Sequence, residues 1–275
     1  MIDFIKSRID EILQVLDFCS HVTLEAQKSN NMEIFKKKDE TIVTEYDFAV
    51  EHIIVSKLKE IFGDIPVVSE EFEDEDNLKN IEQNLHFVLD PIDGTHSFAK
   101  GEEYSINLGV VLNKKCVLSF LVSPHQDNIL FANENKVFLY SLKTKDTTEI
   151  KINQNIGKNY LNTCVSRTYF SKETITKNFL ATLSENLNKE IIYHNFSGSV
   201  RYTIMIIQDF DVSVSLKGFK YWDIMPLLYL LESAGLLLFF DNKYTKNIDP
   251  ALIFKNFSCN QDLIVIKKKL LNYVP

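Results

Sequence analysis

The sequence predicts a mixed fold of the α+β or layered α/β type. Three observations carry this expectation. Apolar residues recur at spacings of three and four near the N-terminus, strand-like runs broken by polar turns fill the middle, and helical and strand patterns alternate through the second half.

Residues 5–26 place Ile5, Ile9, Ile12, Leu16 and Cys19 on one helical face. A second helix is expected over 44–62, with Ile53, Ile54, Leu58 and Ile61 inward, the spacing of a capping box at Thr44-x-x-Asp47 and a stop at Gly63. Pro66-Val67-Val68 reads as a short strand ending at Glu70-Glu71, and the acidic stretch 71–76 as a solvated loop. His86–Asp90 reads as another strand running into the turn residues Pro91, Asp93 and Gly94. Strands are expected over 105–112, 116–122, 128–132 and 137–140, with Asn113-Lys114-Lys115 and Asn133-Glu134-Asn135 as hairpin turns. The second half reads as helices near 172–187, 198–208, 223–234 and 260–271, with strands near 211–216 and 236–240. A break in the apolar pattern near residue 150 divides the chain into 1–150, with most of the candidate ligands, and 151–275, with Asp223 and the specificity residues. The two halves are expected to form one compact unit.

At 275 residues, 45% hydrophobic and 25% charged, the chain has the composition of a globular enzyme with a full core. A formal charge of −8 argues against a nucleic-acid backbone as partner, yet permits a small anionic substrate if bound cations reverse the local sign. Cys19, Cys116, Cys164 and Cys259 lie far apart without metal-ligand spacing, as reduced thiols of a cytoplasmic protein would. The charged N-terminus does not resemble a targeting segment. The apolar run 224–240 is interrupted by Pro226, Glu232 and Gly235 and reads as a buried helix followed by a buried strand, not as a membrane span.

The strongest local signal is Asp90-Pro91-Ile92-Asp93-Gly94-Thr95, two carboxylates three residues apart at a strand end. Pro91 fixes its φ and Gly94 permits a tight turn with exposed N–H groups, a geometry suited to a hard cation and an adjacent phosphate. A plain surface turn has the same composition. Glu70-Glu71 after one strand and Trp222-Asp223 at a helix start are each weak alone, because paired glutamates commonly face solvent and Asp commonly caps helices. Four carboxylates gathered in one pocket repel one another unless cations neutralise them, and an oxygen-only ligand set favours Mg²⁺ or Mn²⁺ over Zn²⁺.

Taken together and in this order, Glu70-Glu71, the six-residue motif and Trp222-Asp223 resemble the inositol monophosphatase family, lithium-sensitive, magnesium-dependent phosphatases of small phosphate esters. Lys37-x-Asp39, Val43-Thr44 and Asp47 agree with a further element of that family, so the resemblance runs from about residue 36 to residue 241. It implies an αβαβα sandwich, two or three Mg²⁺ ions, a small phosphorylated substrate and a homodimer. By motif position it assigns Glu70, Asp90 and the Ile92 carbonyl to a first metal, Asp90, Asp93 and Asp223 to a second, and Glu70 to a loosely held third. It places Thr95 beside the attacking water, with Asp47 accepting the Thr95 proton and Glu70 contacting the nucleophile. Substrate contacts fall to Asp93, Gly94, Thr95, Ser166 and Arg201.

Two branches of the family stay open. Leu216 stands where inositol monophosphatases carry an acid for the sugar hydroxyls, and His96-Ser97-Phe98 departs from the usual Thr-Asn-Phe. Lys37-x-Asp39 and Ser197-Gly198-Ser199-Val200-Arg201-Tyr202 resemble the 3′(2′),5′-bisphosphate nucleotidases, with Arg201 in the basic position for a second phosphate. A helix capped by Ser197 or Ser199 explains the same residues, and Ser166-Arg167 suits both branches. Lys217 and Lys220 add charge at the pocket mouth, and Trp222 reads as a core anchor. The alternative to an enzyme is a regulatory or transcription-associated protein that keeps the fold; the full carboxylate set decides against it, since buried like charges are costly without metal.

Overall fold

Strands between residues 67 and 150 build one sheet, most strands between 160 and 267 build another, and helices fill the space between and outside them. The computed structural model describes residues 1–29, 32–37, 40–72, 74–156, 159–166, 169–170, 175–245, 254–255 and 257–275. Asp39 and Arg167, singled out in the sequence, lie outside them.

The chain opens with α1 (Ile2–Lys6), α2 (Ile9–Ser29), the antiparallel hairpin β1 (Ile34–Lys36) and β2 (Ile42–Thr44), and α3 (Glu45–Phe62). The first sheet follows as β3 (Val67–Ser69), β4 (Leu85–Asp93), β5 (Ser105–Leu112), β6 (Lys115–Ser123), β7 (Asn128–Asn133), β8 (Lys136–Ser141) and β9 (Thr147–Ile150), in that spatial order. Here α4 (Asp74–Ile81) connects β3 to β4, and the short α5 (Thr95–Phe98) follows β4. Within this sheet, among the described residues, only the β3–β4 pair is parallel. Next come β10 (Tyr160–Val165), α6 (Ile175–Leu187), β11 (Glu190–Asn195), α7 (Val200–Ile207), β12 (Val212–Ser215) and α8 (Tyr221–Ser233). The chain ends with β13 (Leu236–Phe240), β14 (Lys243–Tyr244), the hairpin β15 (Phe254–Lys255) and β16 (Ser258–Cys259), and β17 (Leu263–Lys267). The second sheet runs β11-β10-β12-β17-β13-β14.

Three apolar cores stack these elements into the αβαβα order. Ile12, Leu16, Val50, Ile54 and Leu58 of α2 and α3 cover one face of the first sheet through Phe87, Leu108 and Phe120. The opposite face, through Val88 and Leu121, meets Ile224, Leu227 and Leu231 of α8, which also reach Leu238 and Val265 of the second sheet. The far face of that second sheet packs Val214 and Ile264 against Phe179 and Leu183 of α6. The buried helix α8 followed by β13 accounts for the apolar run 224–240, and among the described residues no helix is long and apolar enough to cross a membrane.

Three expectations need correction. The N-terminal helix breaks at Ser7–Arg8, where the Ser7 hydroxyl donates to the Phe4 carbonyl at 2.8 Å and competes with the helical ladder. The stretch 71–76 is not a solvated loop throughout: the Glu71 side chain is 3% exposed, and Asp74–Asp76, exposed as expected, open α4; residue 73 lies outside the described residues. The helix expected over 260–271 is the strand β17 and a 3₁₀ turn at Lys268–Tyr273. Leu263-Ile264-Val265-Ile266 is buried on both faces between β12 and β13, and a short, fully buried apolar run carries no period that separates strand from helix.

Candidate functional site

The site forms where β3 and β4 end and α8 begins. Between Asp90 and Asp93 the β4–β5 register slips: Asp90 faces Asn107 and Asp93 faces Ser105, three residues against two. The bulge accommodates Pro91, which has no N–H to donate to the ladder, and turns both carboxylates to the strand end. Gly94 follows with φ +99°. A Cβ there would stand 2.8 Å from Ser197 Oγ, and one on Gly198 (φ +50°) would stand 2.5 Å from the Asp93 carbonyl, so the Ser197–Ser199 segment lies directly on the motif. On the other side, Gly109 of β5 lets Pro226 of α8 approach; a Cβ on Gly109 would come within 2.7 Å of Pro226 Cα. This close packing holds the first turn of α8, and with it Asp223, over β4 and β5.

Oxygens of Glu70, Asp90 and Asp223 lie within 4.8 Å of one another. Asp90 is fully buried; its Oδ1 accepts the Ile92 N–H at 3.1 Å, while its Oδ2 has no hydrogen-bond partner among the described residues. Asp223 Oδ2 accepts the Lys220 N–H at 2.7 Å, so the carboxylate that faces the cluster also caps its helix. Asp93 stands beside the three, its Oδ2 accepting from Ser199 Oγ at 2.5 Å and Asn107 Nδ2 at 3.1 Å. Burial raises the Asp90 carboxyl well above its usual range, and the charges of Glu70, Asp93 and Asp223 push it further. Asp223 is raised in the same way, by burial and then by Asp93 and Glu70.

The Lys37 ammonium stands beside this cluster, donating to Glu70 Oε1 at 2.9 Å and Glu71 Oε1 at 2.7 Å. Even with that partner, burial and the neighbouring Glu70 push Glu71 up to about 7. Beneath them, the Ser69 hydroxyl donates to the buried Glu51.

A third group of contacts involves Thr95. Its hydroxyl lies 2.9 Å from Asp47 Oδ1 and 3.1 Å from the Ile92 carbonyl. Asp47 Oδ2 accepts the N–H and hydroxyl of Thr44 at 2.7 and 2.6 Å, which makes it the acid of a capping box at the start of α3. Burial raises the Asp47 carboxyl, and the Thr44 and Thr95 hydrogen bonds oppose that rise. The capping and hydroxyl-binding roles coexist because each takes one carboxylate oxygen.

These residues open onto a cavity of about 590 Å³, bounded on its other sides by Lys37, His96, Lys220 and Trp222. The structure therefore gathers Asp47, Glu70, Asp90, Ile92, Asp93, Gly94, Thr95 and Asp223 in one place. Ser166 and Arg201 are not among the described residues that line this cavity. Ser166 follows β10, where its carbonyl accepts the Tyr169 N–H, and the Arg201 guanidinium lies 5.4 Å from the Tyr202 ring centre. Leu216 is buried in the outer core, Lys217 is exposed, and Trp222 both lines the cavity and packs on Phe257. The Ser199 hydroxyl, read in the sequence as a possible cap, makes no cap hydrogen bond and holds Asp93 instead. Sequence reasoning missed that role, as it missed the Lys37 ion pairs and Asn107; the only signal for them was the Ser-Gly-Ser run and the lysine of the N-terminal element.

The donor set fits a hard divalent cation. It is all oxygen, it includes a buried carboxylate oxygen with no donor, and its like charges lie too close to remain ionised without a counter-charge.

Comparison with known proteins agrees with this geometry. The model of the inositol monophosphatase family matches residues 9–256. The chain is 24% identical to the fructose-1,6-bisphosphatase/inositol-1-monophosphatase of Thermotoga maritima, over 85% of each chain. It is 35% identical to the 3′(2′),5′-bisphosphate nucleotidase CysQ of Haemophilus influenzae over 36% of each. The crystal structure of the extragenic suppressor protein SuhB from Bartonella henselae superposes with a TM-score of 0.71 at 13% identity, over 96% of both chains, a likeness of fold. With a family model that spans nearly its whole length, this chain belongs to the inositol monophosphatase family.

Proposed function

We propose that the protein hydrolyses a small phosphate monoester with the help of divalent cations, Mg²⁺ foremost, held by Glu70, Asp90, the Ile92 carbonyl, Asp93 and Asp223. The observation that carries this reading is Asp90 Oδ2, a buried carboxyl oxygen without a hydrogen-bond partner among the described residues, packed among the Glu70 and Asp223 carboxylates. When bound, such cations supply Lewis acidity and the positive charge that phosphoryl transfer requires.

The chain's own groups divide the rest of the work. The N–H groups of Gly94 and Thr95, at the open start of α5, orient the phosphate. The Thr95 hydroxyl, donating to Asp47 Oδ1, presents its own oxygen as an acceptor to the attacking water. Asp47, desolvated and raised, is poised to take up a proton through Thr95. Ser199 and Asn107 fix the Asp93 carboxylate. Close packing of β4, α8 and the Ser197–Ser199 segment limits solvent to the open side of the cavity.

Phosphate release from inositol 1-phosphate, 3′-phosphoadenosine 5′-phosphate and fructose 1,6-bisphosphate, with Mg²⁺ and with excess EDTA, tests the reading. Release from at least one ester, abolished by EDTA, is the expected result. Undiminished release in EDTA would overturn the metal dependence, and no release from any of them would overturn the phosphatase reading.

A further inference from the structure

Helix α3 carries two acids one turn apart, Asp47 and Glu51, on neighbouring positions of one face. Both are buried, at 1% and 8% exposure. Asp47 is taken up by the Thr44 box and the Thr95 hydroxyl. Glu51 is not among the described residues that line the cavity, and a buried carboxyl is costly unless hydrogen bonds satisfy it. Its partners are specific. The Ser69 hydroxyl donates to Glu51 Oε2, and the Glu71 N–H donates to the same carboxyl. Ser69 and Glu71 are the two neighbours of Glu70, so one side chain ties down the backbone on both sides of that residue.

Glu70 depends on such a tie. The paired register of β3 and β4 stops at Ser69 and Leu89, and beyond it the Glu70 N–H reaches the Leu89 carbonyl at 3.3 Å, longer than a good ladder bond. From α4, Asn77 grips Ser69, its Oδ1 accepting the N–H at 2.9 Å and its Nδ2 donating to the carbonyl at 2.7 Å, and reaches the Phe72 carbonyl at 3.4 Å. Neither contact holds Glu70 itself. The Asp90 and Asp223 carboxylates repel the Glu70 carboxylate, and the Lys37 ammonium competes with any cation for it. A backbone free to shift would let Glu70 leave the cluster.

From this arrangement we infer that Glu51 is a positioning residue, which fixes the Glu70 carboxylate at the cation site by clamping Ser69 and Glu71. The inference rests on the metal-dependent reading above. Because Asp47 and Glu51 ride on one helix, α3 also keeps Glu70 in register with the Asp47–Thr95 pair, as two separate loops would not.

Calorimetric titration of Mg²⁺ into the full chain tests this, with Glu51→Ala, Glu51→Gln, Glu70→Ala and the Glu51→Ala/Glu70→Ala double variant. Glu51→Ala should weaken Mg²⁺ binding by about 10-fold or more. In the Glu70→Ala background, where Asp90, Asp93 and Asp223 remain, the same change should cost less than about 2-fold, because Glu51 acts through Glu70. Glu51→Gln should stay within about 3-fold of native: its carbonyl oxygen accepts the Glu71 N–H, and the Ser69 hydroxyl turns to accept from its amide. A merely structural role would lower Tm and leave the Kd of the folded protein unchanged, whereas a charge effect would make Gln as damaging as Ala. An unchanged Kd in Glu51→Ala, equal losses in both backgrounds, or equal losses for Gln and Ala would overturn the inference. Where Glu51→Ala does not fold, Ser69→Ala removes one of the two ties and takes its place, with a loss of about 3-fold expected in native protein and none beside Glu70→Ala. Amide exchange of residues 67–72 in EDTA reads the clamp without any cation. Glu51→Ala should speed it by about 10-fold or more while β5 stays unchanged, and unaltered exchange would overturn the inference. Native protein that binds no Mg²⁺ would count against the metal-dependent reading alone, so the two fail separately.

Discussion

Replacing Asp90 by Asn removes one negative charge from the cluster while keeping its shape. Asn Oδ1 can still accept the Ile92 N–H, and its amide replaces the unpartnered Asp90 Oδ2 with a donor facing the neighbouring carboxylates. Two unit charges 4.8 Å apart, the outer separation of the cluster oxygens, repel by about 3.5 kcal/mol at an effective dielectric of about 20. The folded protein limits that cost by protonating a carboxyl, so Asp90→Asn relieves only part of it. At about 2–4 °C per kcal/mol for a chain of this size, Tm should rise by about 2 °C or more in metal-free protein. The sign with pH follows from linkage. Burial and like charges raise the folded Asp90 pKa above its unfolded value, so the stability present at low pH is lost as pH rises through the folded pKa. The gain should therefore be largest near pH 8 and shrink towards pH 4. Mg²⁺ at about 100 times its Kd should stabilise the native protein by about 2.7 kcal/mol and the variant far less. Thermal unfolding in EDTA and in Mg²⁺, at both pH values, measures all of this. An Asp90→Asn protein less stable than native in EDTA at pH 8 would refute the reasoning, since it would mean that the native cluster is not under repulsion.

Three further outcomes are expected. Asp47→Asn and Thr95→Ala should each lower kcat by about 100-fold or more with the fold intact by circular dichroism; a near-native rate in both would remove them from the mechanism. Lys37→Met leaves Glu70 and Glu71 without their cation, and breaking this partly buried pair should cost less than the ~3–5 kcal/mol of a fully buried one. Because burial raises Glu71 to about 7, protonation relieves the unpaired charge at lower pH, so the loss in Tm should be larger at pH 8 than at pH 6. Gly109→Ala places a methyl group 2.7 Å from Pro226 Cα and must push α8 off the sheet. Such overpacking costs about 1–3 kcal/mol, so Tm should fall by about 2 °C or more, and the displacement of Asp223 should weaken Mg²⁺ binding by titration calorimetry.

Much of the architecture was legible because local chemistry and tertiary structure agree there. The Thr44-x-x-Asp47 box starts α3 and Gly63 ends it, and four strands of the first sheet follow their alternation and their Asn- and Lys-rich turns. Where the pattern is purely apolar, agreement fails: Leu263–Ile266 forms the interior of the second sheet although its composition suited a helix equally well. Such a run takes its conformation from the neighbours that cover it.

The site divides in the same way. The bulge at Asp90–Asp93, the φ of Gly94 and the carboxylate that caps α8 are short-range consequences of Pro, Gly and Asp, and the sequence by itself determined them. Which charges meet was decided only by the fold. Lys37 reaches Glu70 and Glu71 across more than 30 residues of chain, and Ser199 reaches Asp93 across 106. Arg201 and Lys220 are both cations in plausible segments, yet only Lys220 faces the cavity. The reason is physical: hydrogen bonds and ion pairs act over a few ångströms, so a residue's partner depends on which elements the three cores press together, and no local pattern encodes that.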